Sequence, residues 1–349
     1  MSHDETTSVY DELAGVYDAN RSDRFADRAV GLAGSAGDVV LDVGCGTGAY
    51  LTHLGGHSVG LDVSVGMLAR ARSHDRPLVR ATLDRLPFRR AGLGAGWARN
   101  SYLHVSHGQL PLALAELHRA LRPGAPLVAS FISGDDDHVV SDDDLPGRHF
   151  WRWSDGHLVD VFTGAGFAEV RLSGETPRFV EAIRARTLPD TVGAGMRLLV
   201  CGLNPSLHAA DAGVGFFTPG NRFWPAALDV GLASVDRDAF HALRHHGLGM
   251  TDLVKRATTR ADELSRAEYR EGLARVDRLC ARLRPRAVCM VGLAGWRAAV
   301  DRKATTGWQD HELGGGPVYV MPSTSGLNAH SRPADLAAHL RAAASFSTK

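Results

Sequence analysis

Apolar positions along the chain switch repeatedly between runs of strand length and stretches at helical spacing. Tyr10, Leu13, Ala14, Tyr17 and Phe25 recur at helical spacing and predict one or two opening helices. Aliphatic runs over 39–43, 58–62 and 126–131 then read as buried strands. Helices are predicted between them at 50–54 and 63–68 and over 117–124, then one over 157–167 followed by an edge strand at 169–172. The apolar period lapses between Arg184 and Gly195, as in a linker. It resumes at Leu198-Leu199-Val200-Cys201, which stops at Gly202 and runs into Asn204-Pro205. Further on, a helix is predicted near 225–231. Ser265 and Glu268 then form a capping box ahead of a stripe of Tyr269, Leu273, Val276, Cys280 and Leu283, which ends at Pro285 before a strand over 287–293. Alternating strands and helices predict an α/β fold in two domains, residues 1–188 and 196–349, joined by a linker over 189–195. A chain of 349 residues can bury two cores of that size.

Charge divides along the same line. From Thr191 onward there are 20 Lys and Arg against 14 Asp and Glu, which leaves 19 against 25 before it, although the whole chain is neutral. A basic half suits a polyanionic partner for the C-terminal domain only. The four cysteines show no CxxC pairing, which points to buried free thiols in an intracellular protein. The polar, acidic start over 1–8 does not read as a signal peptide, and no apolar run reaches the roughly 20 residues of a membrane span. The acidic run at Asp135-Asp136-Asp137 and Asp142-Asp143-Asp144 lacks chelating spacing and reads as a solvated loop, so no metal is expected.

Two stretches carry candidate chemistry. In the first half the strand at 39–43 leads into Asp42-x-Gly44-x-Gly46-x-Gly48, where glycines permit φ > 0 and close approach of a ligand to the backbone. This resembles motif I of the class I S-adenosylmethionine-dependent methyltransferases, a Rossmann-like fold. The resemblance implies that the loop and Asp42 hold the amino-acid end of S-adenosylmethionine, that Asp62 accepts both ribose hydroxyls, and that Met67 packs on the adenine. It also implies that Asp84, in the Asp84-x-x-Pro87-Phe88 stretch, accepts from the adenine amine. Singly, Asp62 or Asp84 is equally a helix cap or a solvated carboxylate. The segment 95–100 departs from the acidic form common in that family, so the methyl acceptor stays unassigned. Asn100, Tyr102 and His104 fall where its pocket residues lie, with His104 either a wall or core histidine or a base.

In the second half Asn204 stands at the carboxyl end of a strand, where ligands bind in open α/β sheets. The blocks Gly202-Leu203-Asn204-Pro205-Ser206, Pro219-Gly220-Asn221-Arg222-Phe223-Trp224, Gly249-Met250-Thr251-Asp252-Leu253-Val254 and 321–327 occur in the order of the mismatch-specific uracil/thymine-DNA glycosylase family, which this half resembles over about 194–345. The resemblance implies a uracil-DNA-glycosylase-like α/β sandwich that extrudes a nucleotide from duplex DNA. By position Asn204 would hold the attacking water, with Thr251 either a second contact to it or a helix N-cap. Phe216 would stack on the flipped base unless it is a core aromatic. Asn221 and Ser206 would shape the pocket, Ser206 narrowing it where the family more often has Gly. Leu327 would enter the duplex, flanked by Gly326 and Asn328. Arg222 is either a phosphate contact or part of an internal salt bridge. An amide is no base near neutral pH, so base departure is expected to lead, with uracil released faster than thymine.

Together these readings make the chain a fusion: a DNA repair glycosylase that removes uracil, and thymine, from G·U and G·T pairs in double-stranded DNA, behind a methyltransferase domain of unassigned acceptor. S-adenosylmethionine is the expected cofactor of the first domain and none is expected for the second. The competing reading is a methyltransferase of a small molecule or nucleic acid whose C-terminal half only binds DNA. The expected location is the cytoplasm, at the nucleoid during repair.

Overall fold

The computed structural model describes residues 3–134, 137–139, 145–328 and 330–346. The chain separates into two compact units, 1–185 and 186–349. The acidic run expected as a solvated loop lies outside the described residues except for Asp137, which begins a strand.

The first unit opens with α1 (His3–Glu12), α2 (Ala14–Asn20) and α3 (Ala26–Ala36). Then come β1 (Val40–Val43), β2 (Ser58–Asp62), α4 (Val65–Ala71), β3 (Leu78–Arg80), β4 (Ala95–Ala98), α5 (Leu110–Ala120) and β5 (Pro126–Ser133). The unit ends with β6 (Asp137–Val139), β7 (His149–Trp153), α6 (Asp155–Gly164), β8 (Phe167–Ser173) and β9 (Arg178–Arg184). Strands β3, β2, β1, β4 and β5 lie side by side and parallel, and β9 then β8 continue antiparallel. All four residues of β1 and all four of β4 are buried, as expected of strands covered on both faces. The order reverses direction between β1 and β4, so their carboxyl ends flank the crevice where such sheets bind ligands. Residues 50–54, expected to open a helix, lie in successive turns: Leu51 N donates to Gly48 O and His53 N to Tyr50 O, and the four-residue closure from Leu54 N to Tyr50 O does not continue into a helix.

The second unit contains β10 (Leu198–Gly202), α7 (Leu207–Ala212), α8 (Phe223–Asp229), α9 (Ala239–His246), β11 (Leu248–Asp252) and α10 (Arg266–Leu283). These are followed by β12 (Val288–Val291), α11 (Leu293–Ala299), β13 (Gly307–Leu313), β14 (Gly316–Met321) and α12 (Pro333–Ala344). Strands run β11-β10-β12-β14 in parallel, with β13 antiparallel at one edge. Here the reversal falls between β10 and β12, which places the Asn204 turn at the crevice. Helix α10 begins at the expected box: Glu268 N donates to Ser265 Oγ at 3.2 Å and Ser265 N to Glu268 Oε2 at 2.8 Å.

One expectation changes in kind. Residues 189–195, read as a linker, pack into the second unit. Asp190, Thr191 and Val192 are buried, and Thr191 exchanges backbone hydrogen bonds with Met250 of β11 at 2.9 and 2.8 Å. The apolar period fails there because the buried group is a carboxylate whose partners come from distant elements.

Candidate active sites

At the β1/β4 crevice lies a cavity walled by both strand ends and by the opening helices. Gly44 and Gly46, with φ of +70° and +54°, form one wall. A Cβ on Gly44 would collide with the Cβ of Ser101 after β4, so glycine lets two loops meet at the cavity floor. Asp62 closes the end of β2, its Oδ2 accepting from Gly46 N and its Oδ1 from Ser64 N, both at 2.9 Å. Burial raises its pKa against the pull of those bonds. Met67 of α4 and residues 81–83 complete that side.

Of the seven residues expected here, Gly44, Gly46, Asp62 and Met67 line the cavity. The other three stand elsewhere. Asp42 is buried beneath the glycine loop, with Oδ2 lacking a partner among the described residues and its pKa pushed well up by burial and by Asp62. Gly48 packs toward His74, and Asp84 is exposed outside the lining. Tyr102 is fully buried in the core. His104 lines the cavity with both ring nitrogens engaged. Nδ1 lies 2.8 Å from His149 O and must donate to it, so Nε2 accepts from Tyr10 OH at 2.8 Å. That pairing makes His104 a wall residue rather than a free base.

Sequence reading missed Thr6, Tyr10 and Tyr17 of the opening helices, which cover the cavity, and Arg99. Helix α1 is tied down by Asp11, whose Oδ1 accepts from Ser64 Oγ at 2.6 Å and Gly66 N at 2.9 Å. Only the helical period of this segment was visible beforehand.

In the second unit the groups gather at the ends of β10, β11 and β14. Asn204 Nδ2 donates to Thr258 Oγ1 at 2.7 Å and Arg256 O at 3.0 Å, and lies 3.3 Å from Pro205 O. Its Oδ1, an acceptor, has no partner among the described residues. Phe216 stacks on Phe223, with centroids 4.2 Å apart and planes 21° from parallel, and holds φ = +56°. A non-glycine residue there is strained, which marks a position fixed by its surroundings. A Cβ on Gly202 would lie 2.6 Å from Asp252 Oδ1 and 3.5 Å from Phe216 Cζ, so this glycine is the floor on which a carboxyl and an aromatic ring converge.

Asp252 went unremarked in the sequence reading. It is half-buried, its carboxyl accepts no hydrogen bond among the described residues, and burial raises its pKa to about 6, partly offset by Lys255 and Arg275. The available signal was its place at the carboxyl end of β11, paired in register with Gly202. Thr251, expected to touch water, is instead occupied: Oγ1 donates to Asp190 Oδ1 at 2.6 Å and accepts from Arg275 Nη2 at 3.0 Å. It stands on a strand, so the helix-cap alternative fails as well.

Ser206 caps α7, its Oγ accepting from Ala209 N at 3.1 Å. Asn221 Oδ1 accepts from Phe223 N at 3.0 Å and sets the start of α8. Among the described residues Arg222 makes no salt bridge. Its guanidinium donates to Ser325 O at 2.9 Å, Asn328 O at 2.6 Å and Ser331 O, clamping the loop that carries Gly326, Leu327 and Asn328. Gly326 packs on Gly220, where a Cβ would sit 3.0 Å from the Gly220 carbonyl. At the tip of that loop Leu327 is 96% exposed.

Residues 189–344 match the model of the uracil DNA glycosylase superfamily, and residues 41–129 match a methyltransferase domain. The chain therefore joins a methyltransferase domain to a domain of the uracil DNA glycosylase superfamily. Solved structures similar to part of the chain include a methyltransferase from Thermotoga maritima, 15% identical, with a TM-score of 0.41 over 51% of this chain and 99% of that one. Another, from Mesorhizobium loti, is 20% identical, with a TM-score of 0.36 over 43% and 92%. Magnesium protoporphyrin IX methyltransferase from Synechocystis, with bound S-adenosylmethionine, is 18% identical, with a TM-score of 0.36 over 46% and 79%.

For the methyltransferase domain the family match supports S-adenosylmethionine as cofactor. The lining fits that group by its own chemistry: bare glycine backbone at φ > 0, a carboxylate at the end of β2 and an apolar methionine wall. For the glycosylase-superfamily domain DNA is the partner the match points to. Among the described residues no group of three His, Cys, Asp or Glu side chains could hold a metal ion, and no helix is long and apolar enough to cross a membrane.

Proposed function

We propose that the C-terminal domain hydrolyses the N-glycosidic bond of uracil, and more slowly of thymine, opposite guanine in duplex DNA, leaving an abasic site. The observation that carries this reading is the convergence of Asp252 and Phe216 on Gly202, two residues before Asn204 with its unoccupied Oδ1, together with a clamped loop tipped by an exposed leucine. The duplex cannot be attacked while stacked, so Leu327 fills the gap left by the extruded nucleotide and the base stacks on Phe216. Asn204, its Nδ2 held by Thr258 and Arg256, presents Oδ1 to one proton of a water. Asp252 changes the mechanism read from the sequence, because with a pKa near 6 its carboxylate is available at neutral pH to take a proton as that water attacks C1′. The C1′–N bond breaks, its electron pair leaves on the base, and the base anion takes a proton from solvent. Uracil, without a 5-methyl to accommodate, leaves faster than thymine.

In the N-terminal domain Asp62 holds the ribose hydroxyls, Gly44 and Gly46 offer backbone to the amino-acid end, and Met67 covers the adenine. S-adenosylmethionine, when bound, supplies an electrophilic methyl group. The chain's own part is to align it and exclude water beneath Tyr10 and Tyr17. Formation of alkali-labile abasic sites in a G·U duplex, and calorimetric binding of S-adenosylmethionine lost in Asp62→Ala, test the two halves. Intact G·U duplex after prolonged incubation would reduce the C-terminal domain to a DNA-binding module.

A further inference from the structure

Against Thr251 and the backbone of Asp252 lies a cluster of charges that no step above uses. Asp190, from the segment ahead of β10, meets Lys255 Nζ at 2.8 Å through Oδ1 and Arg275 Nη1 at 2.7 Å through Oδ2. Their side chains are 3%, 10% and 7% exposed. Buried ions are costly unless balanced, and this trio carries one positive charge too many. An ionised Asp252 offsets that excess, although the burial of its own carboxyl outweighs the gain and leaves its pKa raised.

The two cations are placed differently. Arg275, on α10, is saturated: besides Asp190 it donates to Thr251 Oγ1 at 3.0 Å and to Asp252 O at 2.8 Å, which fixes the backbone that carries the carboxyl. Lys255, three residues beyond Asp252, spends one donor on Asp190 and has no other side-chain partner among the described residues. A further ionisable neighbour is Cys201 on β10, whose thiol is driven up by burial and by Asp252 and so stays neutral. Asp190 Oδ1 accepts from both Lys255 Nζ and Thr251 Oγ1, which sets the Lys255 charge beside the residue that precedes Asp252; Lys255 and Arg275 favour the charged form of Asp252 and Asp190 opposes it.

We propose that Lys255 is a positioning residue for base release: with Arg275 and Asp190 it forms the buried counter-charge that keeps Asp252 ionised at the working pH. The inference rests on the glycosylase reading and adds to it the origin of the enzyme's pH dependence. Because Asp252 must be ionised to accept a proton, the rate falls on its acid side. Removing the Lys255 charge raises the pH at which that fall begins.

The test is single-turnover uracil release from a G·U duplex by the full chain, at saturating protein, from pH 5 to 9, for wild type, Lys255→Met and Lys255→Arg. The expected result is a wild-type acid limb with its midpoint near pH 6. In Lys255→Met the limb should move up by about one unit, a loss of roughly tenfold at pH 5 and less than about twofold at pH 9, with Lys255→Arg restoring the wild-type curve. A Lys255→Met rate lowered equally at every pH, or unchanged, overturns the inference and leaves the glycosylase reading standing. Absence of uracil release by the wild type overturns the reading itself.

Discussion

Arg222 offers a sharp test of how the C-terminal domain meets DNA, because a basic residue in this position invites assignment as a phosphate contact. The geometry instead turns its guanidinium inward onto the carbonyls of Ser325, Asn328 and Ser331. Hydrogen bonds from a charged donor contribute about 1.5–3 kcal/mol each, and carbonyls on a surface loop regain part of that from water when the donor is lost. Arg222→Met, which keeps the stem, should therefore loosen the Leu327 loop, and about 1–2 kcal/mol of ordering cost then falls on binding. That corresponds to roughly 5- to 30-fold weaker affinity for a G·U duplex. Salt dependence separates the two roles. Titrations of a fluorescent duplex with a non-hydrolysable 2′-fluoro nucleotide at the lesion, between 50 and 200 mM salt, should give parallel lines for wild type and mutant in log affinity against log salt. A phosphate contact would instead lower the slope by about 0.9. A shallower slope with an intact loop would refute the clamp.

Other substitutions probe the remaining parts. Asp252→Asn should abolish the acid limb and most of the base release, yet stabilise the fold at pH 8: a carboxyl whose folded pKa is about 6, raised by burial, contributes its stability below its unfolded pKa and loses it as pH rises through 6. The gain, roughly 2–3 kcal/mol, should appear in melting curves at pH 8 and vanish at pH 4. Asp190→Ala leaves Lys255 and Arg275 buried without their counter-ion and should cost about 3–5 kcal/mol, seen by calorimetry as a fall of roughly 6–20 °C in the second unit's unfolding temperature. Gly44→Ala, at φ = +70° with Ser101 in the way, should abolish S-adenosylmethionine binding in a calorimetric titration while base release stays at the wild-type rate. Phe216→Leu removes the stack on Phe223 and should slow uracil release by about tenfold or more at unchanged pH dependence, consistent with 1–3 kcal/mol per stacked base.

Much of this architecture could be read from the chain because its signals are local. Strands β1 and β10 are aliphatic runs ended by glycine, the capping box at Ser265 satisfies its two backbone donors within four residues, and the Asp42-to-Gly48 loop announces itself by spacing. The Asn204 turn was legible for the same reason. What escaped depends on partners far apart in sequence. Asp190 read as linker because its partners, Lys255 and Arg275, come from elements 65 and 85 residues away. Arg275 sits beside the apolar stripe of α10 and is nonetheless buried, which periodicity alone does not anticipate. Thr251 looked available because nothing nearby competes for its hydroxyl, and Asp252 looked unremarkable because its raised pKa comes from burial that only the folded sheet creates. Arg222 was ambiguous on composition, since one guanidinium can serve a phosphate, a carboxylate or three carbonyls, and the loop that decides among them lies about a hundred residues on.

The central claim is that Asn204 and its surroundings cut the N-glycosidic bond of a mismatched pyrimidine. It is tested most directly by single-turnover base release from labelled G·U, G·T and A·U duplexes, with wild type and Asn204→Ala side by side. The account predicts release from G·U by the wild type, slower release from G·T, and a loss of about a hundredfold or more in Asn204→Ala, in line with removing one group that acts at the reacting centre. Uracil release that survives Asn204→Ala at the wild-type rate would contradict it.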